Sequence, residues 1–170
     1  MVTIREVKSN EKELINEIVT IHLNTFTGFF LTFMGRGFLR QMYQSYCDHD
    51  ESGLLVAEED GKALGFLAFS SNFSGLYKFM IKTRLIQFGW FSIGAFFRRP
   101  STFMHIISAF LKPGEAKREE KYVELSSIGV DPNVKSKGIG SKLIDALKDS
   151  VDSVSYTHLR AHDTSAHLVC

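Results

Sequence analysis

Hydrophobic positions along the chain follow two spacings, and the alternating one marks the strands. Residues 2–7, VTIREV, alternate between apolar and polar as a half-exposed strand does. Residues 53–71 hold two apolar runs around the tetrapeptide EDGK, and Asp-Gly is typical of a tight hairpin turn. Residues 121–130, KYVELSSIGV, are a further apolar run that ends before Pro132. These runs predict four strands.

Helical spacing marks the segments between these strands. Asn10 followed by Glu13 predicts a capping box, and apolar residues then recur every three or four positions to about residue 25. Residues 30–50 predict a second helical segment that glycines interrupt early, at positions 35 and 37. From Gly138 onward, apolar residues again share one helical face. The order β, α, α, β, β, helical insert, β, α favours a mixed α+β fold over a doubly wound sheet.

The insert, residues 75–112, differs in composition from the rest and predicts one or two helices broken near residues 99–100. It is rich in Phe and Ile, and no Asp or Glu occurs from Gly75 to Gly114. Three interpretations stay open: a solvated basic face, a cover in which arginines meet an anionic acceptor, or a membrane-surface helix pair. The arginines considered for the second interpretation are Arg84, Arg98 and Arg99.

Composition limits the class of protein. The chain has 170 residues, 44% of them hydrophobic, which is enough for one domain with a sizeable core. The net charge of +1 does not indicate a nucleic-acid partner, and two cysteines make no disulfide framework. The start of the chain has no signal-peptide core, and the longest nearly apolar run, residues 85–97, is too short to span a bilayer. We therefore expect a cytoplasmic protein.

A glycine-containing loop follows the last predicted strand and holds the strongest chemical signal. Residues 135–140 read KSKGIG and lie where the first turn of a helix directs its unpaired N–H groups outward. The two glycines, Gly138 and Gly140, let a ligand approach the backbone closely, and Lys135 and Lys137 add positive charge. An ordinary strand–loop–helix turn is the alternative. The pattern predicts a site for a pyrophosphate.

The same stretch resembles motif A of the GNAT superfamily of acyl-CoA N-acetyltransferases, whose pattern is V-x-P followed by Q/R-x-x-G-x-G/A. Here it reads Val130-Asp131-Pro132 and then KSKGIG, so that Lys135 departs from the usual Gln or Arg. The dinucleotide fingerprint and the Walker A loop fit less well. The order of elements over residues 2–153 is also similar to that of the superfamily, which implies a central, mostly antiparallel sheet flanked by helices.

The resemblance implies an enzyme that moves an acetyl group from acetyl-CoA to a primary amine of a small molecule, such as an amino sugar or nucleotide sugar. The backbone of residues 128–130 would pair with the pantetheine arm, and N–H groups of residues 135–141 would hold the pyrophosphate. No metal is implied. The implied cofactor-binding residues are Ile128, Gly129, Val130, Lys135, Ser136, Lys137, Gly138, Ile139, Gly140 and Ser141.

Glu124 is the candidate general base, because only a neutral amine attacks a thioester. On a regular strand, positions 124, 126, 128 and 130 share one face, so Glu124 would lie beside bound CoA. Its alternative is a solvated strand residue, while Ser126 and Ser127 are weaker candidates for orienting a water. The resemblance places the acceptor pocket around Phe26, Phe29 and Phe30, for which core packing is the alternative.

The last 17 residues, 154–170, hold His158, His162, Asp163, His167 and Cys170. These side chains can bind zinc, but the segment lacks a Cys-x-x-Cys pair and apolar periodicity. It resembles the translation of a DNA-sequencing adapter, so we interpret it as a fusion scar following one incomplete domain, residues 1–153.

That interpretation has two consequences for the fold and the site. The superfamily's last strands and helix would be missing, and the motif A strand would keep an unpaired edge. In this superfamily a Tyr on the next helix often protonates the leaving thiolate. We assign no residue to that role, because Tyr156 lies in no helical pattern. Two functional alternatives stay open: a non-catalytic CoA-binding module of the same fold, and a peripheral membrane protein acting through residues 78–112.

Overall fold

One sheet runs through the molecule and carries helices on both faces, which confirms the mixed α+β class. The computed structural model describes residues 1–98, 122–134, 138–153 and 158–161. The elements are, in chain order, β1 (Thr3–Glu6), α1 (Lys12–Thr25), α2 (Phe30–Met34), α3 (Arg36–Asp48), β2 (Ser52–Glu59), β3 (Lys62–Ser70), α4 (Phe73–Arg98), β4 (Tyr122–Val130), α5 (Ile139–Ser153) and β5 (His158–Ala161).

The strands lie in the sheet in chain order, and β1 to β4 are antiparallel. The predicted hairpin is confirmed: β2 and β3 are joined by Asp60 and Gly61, which have φ values of 54° and 75°. Positive φ at both central residues is the geometry of a type I′ turn, for which Asp-Gly is a preferred pair.

The β5 strand corrects one expectation about the sheet edge. His158–Ala161 pairs in parallel with Tyr122–Leu125, so Glu124 and Leu125 of β4 have a strand partner on both sides. Backbone hydrogen bonds between strands need only an extended chain, whatever its side chains. The spacing of apolar residues therefore did not predict β5. Residues 154–157 and 162–170 lie outside the described residues, and the origin of the tail stays a prediction.

Each face of the sheet has its own hydrophobic core. On one face α1, α3 and the start of α4 cover β2 and β3, and on the other α5 covers β2, β3 and β4. The predicted apolar face of α5 is confirmed at Ile139, Leu143 and Leu147, which are all buried. Burying an aliphatic side chain of this size contributes about 1.5–3 kcal/mol, so both faces stabilise the sheet.

The start of α1 differs from the predicted capping box. The cap residue is Glu11, and no side-chain cap bond forms at it. The Glu11 carboxylate instead accepts hydrogen bonds from the Lys8 N–H, at 2.7 Å, and from the Arg5 guanidinium, at 2.8 and 2.9 Å. The Arg5 side chain draws this carboxylate back toward β1. The spacing of residues around the helix start did not predict this contact with a strand residue.

The break in the second helical segment is confirmed at Gly35, whose φ of 90° separates α2 from α3. Gly37 lies inside α3 and has a packing reason: a Cβ there would lie 2.2 Å from the Phe91 ring. The missing side chain therefore lets α4 approach α3 closely. Within α4 the backbone departs from helical values at Arg84, with φ −134° and ψ 15°.

None of the helices in the described ranges combines the length and apolar character needed to cross a bilayer.

We expect Leu143→Ala to lower the free energy of unfolding by about 2–5 kcal/mol, because it opens a cavity beneath α5. Leu143 is fully buried against the sheet. Chemical denaturation measures the loss, with Lys142→Ala on the exposed side of the same helix as control. The control should change stability by less than about 0.5 kcal/mol. Equal effects of the two substitutions would contradict the packing of α5 described above.

Candidate active site

A β-bulge interrupts β4 where the predicted site residues begin. Ala68 lies opposite Ser127 and Phe69 lies opposite Leu125, so Ser126 is an extra residue with no partner across the pair. Bulges bend a strand and re-aim its side chains, and they are frequent beside active sites.

The bulge overturns the expectation that positions 124, 126, 128 and 130 share one face. Ile128 and Val130 pack against the core beneath α5, as Leu125 does on the other side of the bulge. Glu124 lies next to Leu125 on the strand and therefore points to the opposite face. The extra residue shifts the alternation by one position, and the sequence pattern carries no sign of it.

Glu124 lies half-buried on the side of the sheet that α1, α3 and α4 cover, opposite Ser70. Burial raises the pKa of the Tyr77 phenol on α4, and the charge of Glu124 raises it further. The candidate base therefore lies near Tyr77, in the first turns of α4. Its catalytic role stays a prediction.

The second half of β4 keeps a free edge within the described residues. The Asp131 N–H donates to the Leu64 carbonyl of the preceding β-hairpin at 2.8 Å. Because backbone groups alternate along a strand, Ile128 and Val130 direct theirs to the other edge. In the described part of the chain, that edge has a strand partner only over Tyr122–Leu125. The free edge thus begins at the bulge and ends at Val130.

The end of α1 lies over this edge. The Thr25 hydroxyl donates to the Val130 carbonyl at 3.0 Å. Gly129 is pressed between two rings, since a Cβ on it would lie 2.7 Å from Phe66 and 3.2 Å from Phe26. Only glycine therefore allows the α1 end to approach β4 this closely.

Two of the three predicted acceptor residues lie together at this place. The Phe26 and Phe29 rings meet edge-on with centroids 5.6 Å apart, and Phe29 is 43% exposed. Phe30 begins α2, and its side chain lies outside the described residues. The aromatic pair therefore forms part of the surface beside the free edge, with Phe26 also contacting the core.

The glycine loop ends at an open helix N-terminus. Gly138 has a φ of 61°, and the Lys142 N–H donates to the Gly138 carbonyl at 3.0 Å as a bond of the first helical turn. The N–H groups of Ile139, Gly140 and Ser141 come before that bond and have no carbonyl partner within the helix. Residues 135–137, which include predicted ligands Lys135, Ser136 and Lys137, lie outside the described residues.

The side chains at this N-terminus leave the backbone accessible. Ile139 is 3% exposed and anchors the helix in the core. Apart from the backbone of its own helix, a Cβ on Gly140 would meet no heavy atom of the described residues within 4 Å. The helix is therefore held from one side and open on the other, as an anion site requires.

A short turn connects the free edge to this helix. The Asp131 carboxylate accepts from the Asn133 N–H at 2.9 Å, and the Val134 N–H donates to the Asp131 carbonyl at 2.9 Å. Asp side chains favour such turns because they bond to the backbone two residues on. The turn leads the chain from the end of β4 toward the start of α5.

Buried hydroxyls and an imidazole lie behind the bulge, and sequence reasoning missed them. His22 is 2% exposed, and its Nδ1 lies 2.6 Å from the Tyr43 hydroxyl, which lies 3.4 Å from Ser127 Oγ. The Tyr46 hydroxyl donates to Ser126 Oγ at 2.6 Å. The sequence signals that could have indicated this network are His22 at a core position of α1 and the two tyrosines on the buried face of α3.

Burial sets the protonation of this network. It lowers the pKa of His22 to about 4, so the imidazole is neutral at pH 7. Burial also raises the pKa values of Tyr43 and Tyr46, so both phenols keep their protons. The network is therefore uncharged, and it fixes the two serines of the bulge from behind.

Arg84 has its partners within the fold. Its guanidinium forms an ion pair with Asp48 and donates to the Gln41 side chain at 2.7 Å. This pairing opposes the interpretation that Arg84 meets an anionic acceptor. The Arg98 side chain and Arg99 lie outside the described residues.

Comparisons with known proteins agree with this geometry. The model of the acetyltransferase (GNAT) family matches residues 16–168. None of the curated proteins matches the chain significantly.

Solved structures share the fold at low sequence identity. A ribosomal-protein-alanine N-acetyltransferase from Brucella melitensis biovar Abortus 2308 is 14% identical, with TM-score 0.56, covering 98% of this chain and 83% of its own. An N-acetyltransferase from Staphylococcus aureus Mu50 is 21% identical, with TM-score 0.55 and coverages of 98% and 76%. The aminoglycoside N-acetyltransferase AAC(6')-Iy, solved with CoA, is 13% identical, with TM-score 0.59 and coverages of 97% and 78%.

We expect His22 to make folding stability depend on pH. Its folded pKa of about 4 lies below the ordinary value of 6.5, so between these values only the unfolded chain binds the proton. Stability should therefore fall as pH drops through this window, by roughly 3 kcal/mol for a shift of this size. Denaturation at a series of pH values measures this, and His22→Gln should remove most of the loss. A variant with the pH dependence of the original chain would contradict the burial of a neutral imidazole.

Proposed function

The chain belongs to the acetyltransferase (GNAT) family, and from this we propose that it transfers the acetyl group of acetyl-CoA to a primary amine of a small molecule in the cytoplasm. The observation that carries the proposal is the free edge of β4 at Ser126–Val130, which leads through a short turn to the open N-terminus of α5. An extended amide chain that ends in a pyrophosphate is complementary to these two features.

The pantetheine arm of acetyl-CoA is the extended part. Its amides can pair with the backbone groups that Ile128 and Val130 direct to the free edge, as an added strand would. The Val130 carbonyl already accepts a bond from Thr25, which helps to fix this end of the edge. The pyrophosphate would then meet the first-turn N–H groups of α5, where the helix dipole favours negative charge.

The reaction joins the amine nitrogen to the acetyl carbon and breaks the bond from that carbon to the CoA sulfur. The attacking amine must lose a proton, which we assign to the Glu124 carboxylate, directly or through a water. The leaving thiolate takes up a proton to become the CoA thiol. Glu124 lies two residues before the bulge, on the side of the sheet that α4 covers, which supports this assignment.

The acceptor is proposed to bind against the aromatic pair of Phe26 and Phe29. Phe29 is 43% exposed, and Phe26 touches the same stretch of β4 that would hold the thioester arm. Two structures that share the fold are named for aminoglycoside and ribosomal-protein-alanine acetylation. We favour an amino sugar or nucleotide sugar, since such acceptors are small enough for a site bounded by two rings.

We expect Gly140→Glu to abolish acetyl-CoA binding while leaving the fold intact. Among the described residues, a Cβ at Gly140 would meet no heavy atom within 4 Å outside its own helix backbone, and a carboxylate in the first turn favours the helix. The same charge repels a pyrophosphate. Thermal melting with acetyl-CoA at 100 times its Kd should show about 2.7 kcal/mol of stabilisation for the original chain and none for the variant. Gly140→Gln introduces a side chain of similar size without the charge, so it separates the effect of charge from that of size. If Gly140→Glu were stabilised by acetyl-CoA as much as the original chain is, the proposed pyrophosphate site would be wrong.

We expect Glu124→Gln to lower the rate of acetyl transfer by about 10²–10⁴-fold, because the amide cannot accept the proton. Release of the CoA thiol, followed with a panel of amino sugars and an alanine-terminated peptide, measures transfer. Glu13→Gln on the exposed side of α1 is the matched control and should keep full activity.

Three outcomes of that experiment separate the possibilities. Loss of transfer with an unchanged response to acetyl-CoA supports Glu124 as the base. Full transfer by Glu124→Gln would exclude Glu124 as the general base, while the assignment of the chain as an acetyltransferase would stand. Binding of acetyl-CoA with no transfer by the original chain to any amine would favour the non-catalytic CoA-binding module.

A further inference from the structure

The second half of α4 has an exposed apolar stripe. Ile86, Trp90, Ile93 and Phe97 follow one another at i, i+4, i+7 and i+11, which places them on one face of the helix. They are 85%, 72%, 48% and 78% exposed. Single exposed apolar side chains are ordinary on a protein surface, but four in one continuous row mark an interaction site.

The opposite face of the same helix is the one that packs on the protein. The Phe88 ring contacts Phe38 of α3 with centroids 4.8 Å apart, and the Phe91 ring lies against Gly37. This contact fixes the rotation of α4 about its axis. The apolar stripe lies on the other side of the helix and therefore points away from α3.

The surface before the stripe is basic. Lys78 and Lys82 are exposed on the first half of α4, together with the apolar Ile81 and Leu85. No Asp or Glu occurs anywhere in Phe73–Arg98. The one charge on α4 that an acidic residue matches in the described ranges is Arg84, through Asp48. The exposed surface of α4 thus carries lysines before the departure from helical geometry at Arg84 and the apolar stripe after it.

We propose that the outer face of α4 docks on an anionic lipid surface. The helix would lie in the plane of the membrane, with the stripe in the boundary between headgroups and acyl chains and the lysines near lipid phosphates. Apolar residues including Trp beside lysines, without any acidic residue, are complementary to such a surface. The proposal concerns a surface separate from the free edge of β4 and does not depend on acetyl transfer.

Charge favours lipid over a second copy of the chain. Two copies meeting through this face would leave the lysines of both helices without an acidic partner, because the facing helix supplies no carboxylate. An anionic bilayer instead gains from each lysine near its surface. A second copy, and coverage of the stripe by residues 99–121, become outcomes of the test.

Trp90 makes the test direct, because it is the one tryptophan in the sequence and lies within the stripe. Its emission would be recorded in buffer, with phosphatidylcholine vesicles, and with vesicles of equimolar phosphatidylcholine and phosphatidylglycerol. We expect solvent-exposed emission in the first two conditions. The anionic vesicles should shift it to shorter wavelength and sediment the protein, and high salt should weaken the binding.

Two variants separate the apolar and the charged contributions. Ile86→Ser alters a side chain that is 85% exposed and should leave the melting temperature unchanged while weakening partitioning to anionic vesicles. The double variant Lys78→Glu, Lys82→Glu should lower the partition coefficient by about tenfold or more. Lys62→Glu, at the exposed start of β3, is the control and should bind as the original chain does.

Several results would overturn the proposal. Trp90 emission that is already at short wavelength in buffer and does not respond to vesicles would show that protein covers the stripe. Recovery of exposed emission on dilution would then identify a second copy, and no change on dilution would point to residues 99–121. Absence of sedimentation with anionic vesicles, or equal binding to both vesicle types, would also exclude an anionic lipid partner.

Discussion

The extra residue in β4 is the constraint on which the candidate site depends. Because Ser126 has no partner across the strand pair, the side chains before and after it exchange faces. Glu124 can therefore face α4 while Ile128 and Val130 anchor the same strand in the core beneath α5. A regular strand would place the carboxylate and these two aliphatic side chains on one side, where either the charge or the apolar groups would be wrongly solvated.

Hydroxyl groups rather than charges hold this bulge from behind. The contacts of Tyr43 with Ser127 and of Tyr46 with Ser126 reach it from α3. Each is buried, and burial keeps both phenols protonated and His22 neutral. A neutral network can be buried with a smaller loss of solvation than an ion pair, provided that its members find partners. The His22 Nε2 atom has none among the described residues, so this network carries one unsatisfied group.

The α4 helix shows how one element can serve two surfaces. Its inner face is fixed to α3 by aromatic contacts and by the Arg84–Asp48 pair, and its outer face carries apolar side chains of comparable size. Packing among the described residues does not account for the apolar composition of the outer face. One side of the helix therefore stabilises the fold, and the other carries the surface that we propose docks on lipid.

The amino-acid pattern alone determined the elements whose causes are local. The Asp60-Gly61 turn, the break at Gly35 and the buried face of α5 each depend on a few neighbouring residues, and they were predicted. The family resemblance also rests on such a local stretch. It could be identified because backbone conformation at glycine and helical spacing are both readable within one or two turns.

Tertiary structure decided the features that depend on distant partners. The bulge appears only when β4 is paired with β3, Arg5 draws the Glu11 carboxylate away from the helix cap, and the His22 imidazole finds its hydrogen-bond partner in Tyr43 of α3. The pairing of β5 with Tyr122–Leu125 is of the same kind. In each case the free energy comes from groups far apart in the chain, so no window of the sequence contains both halves of the interaction.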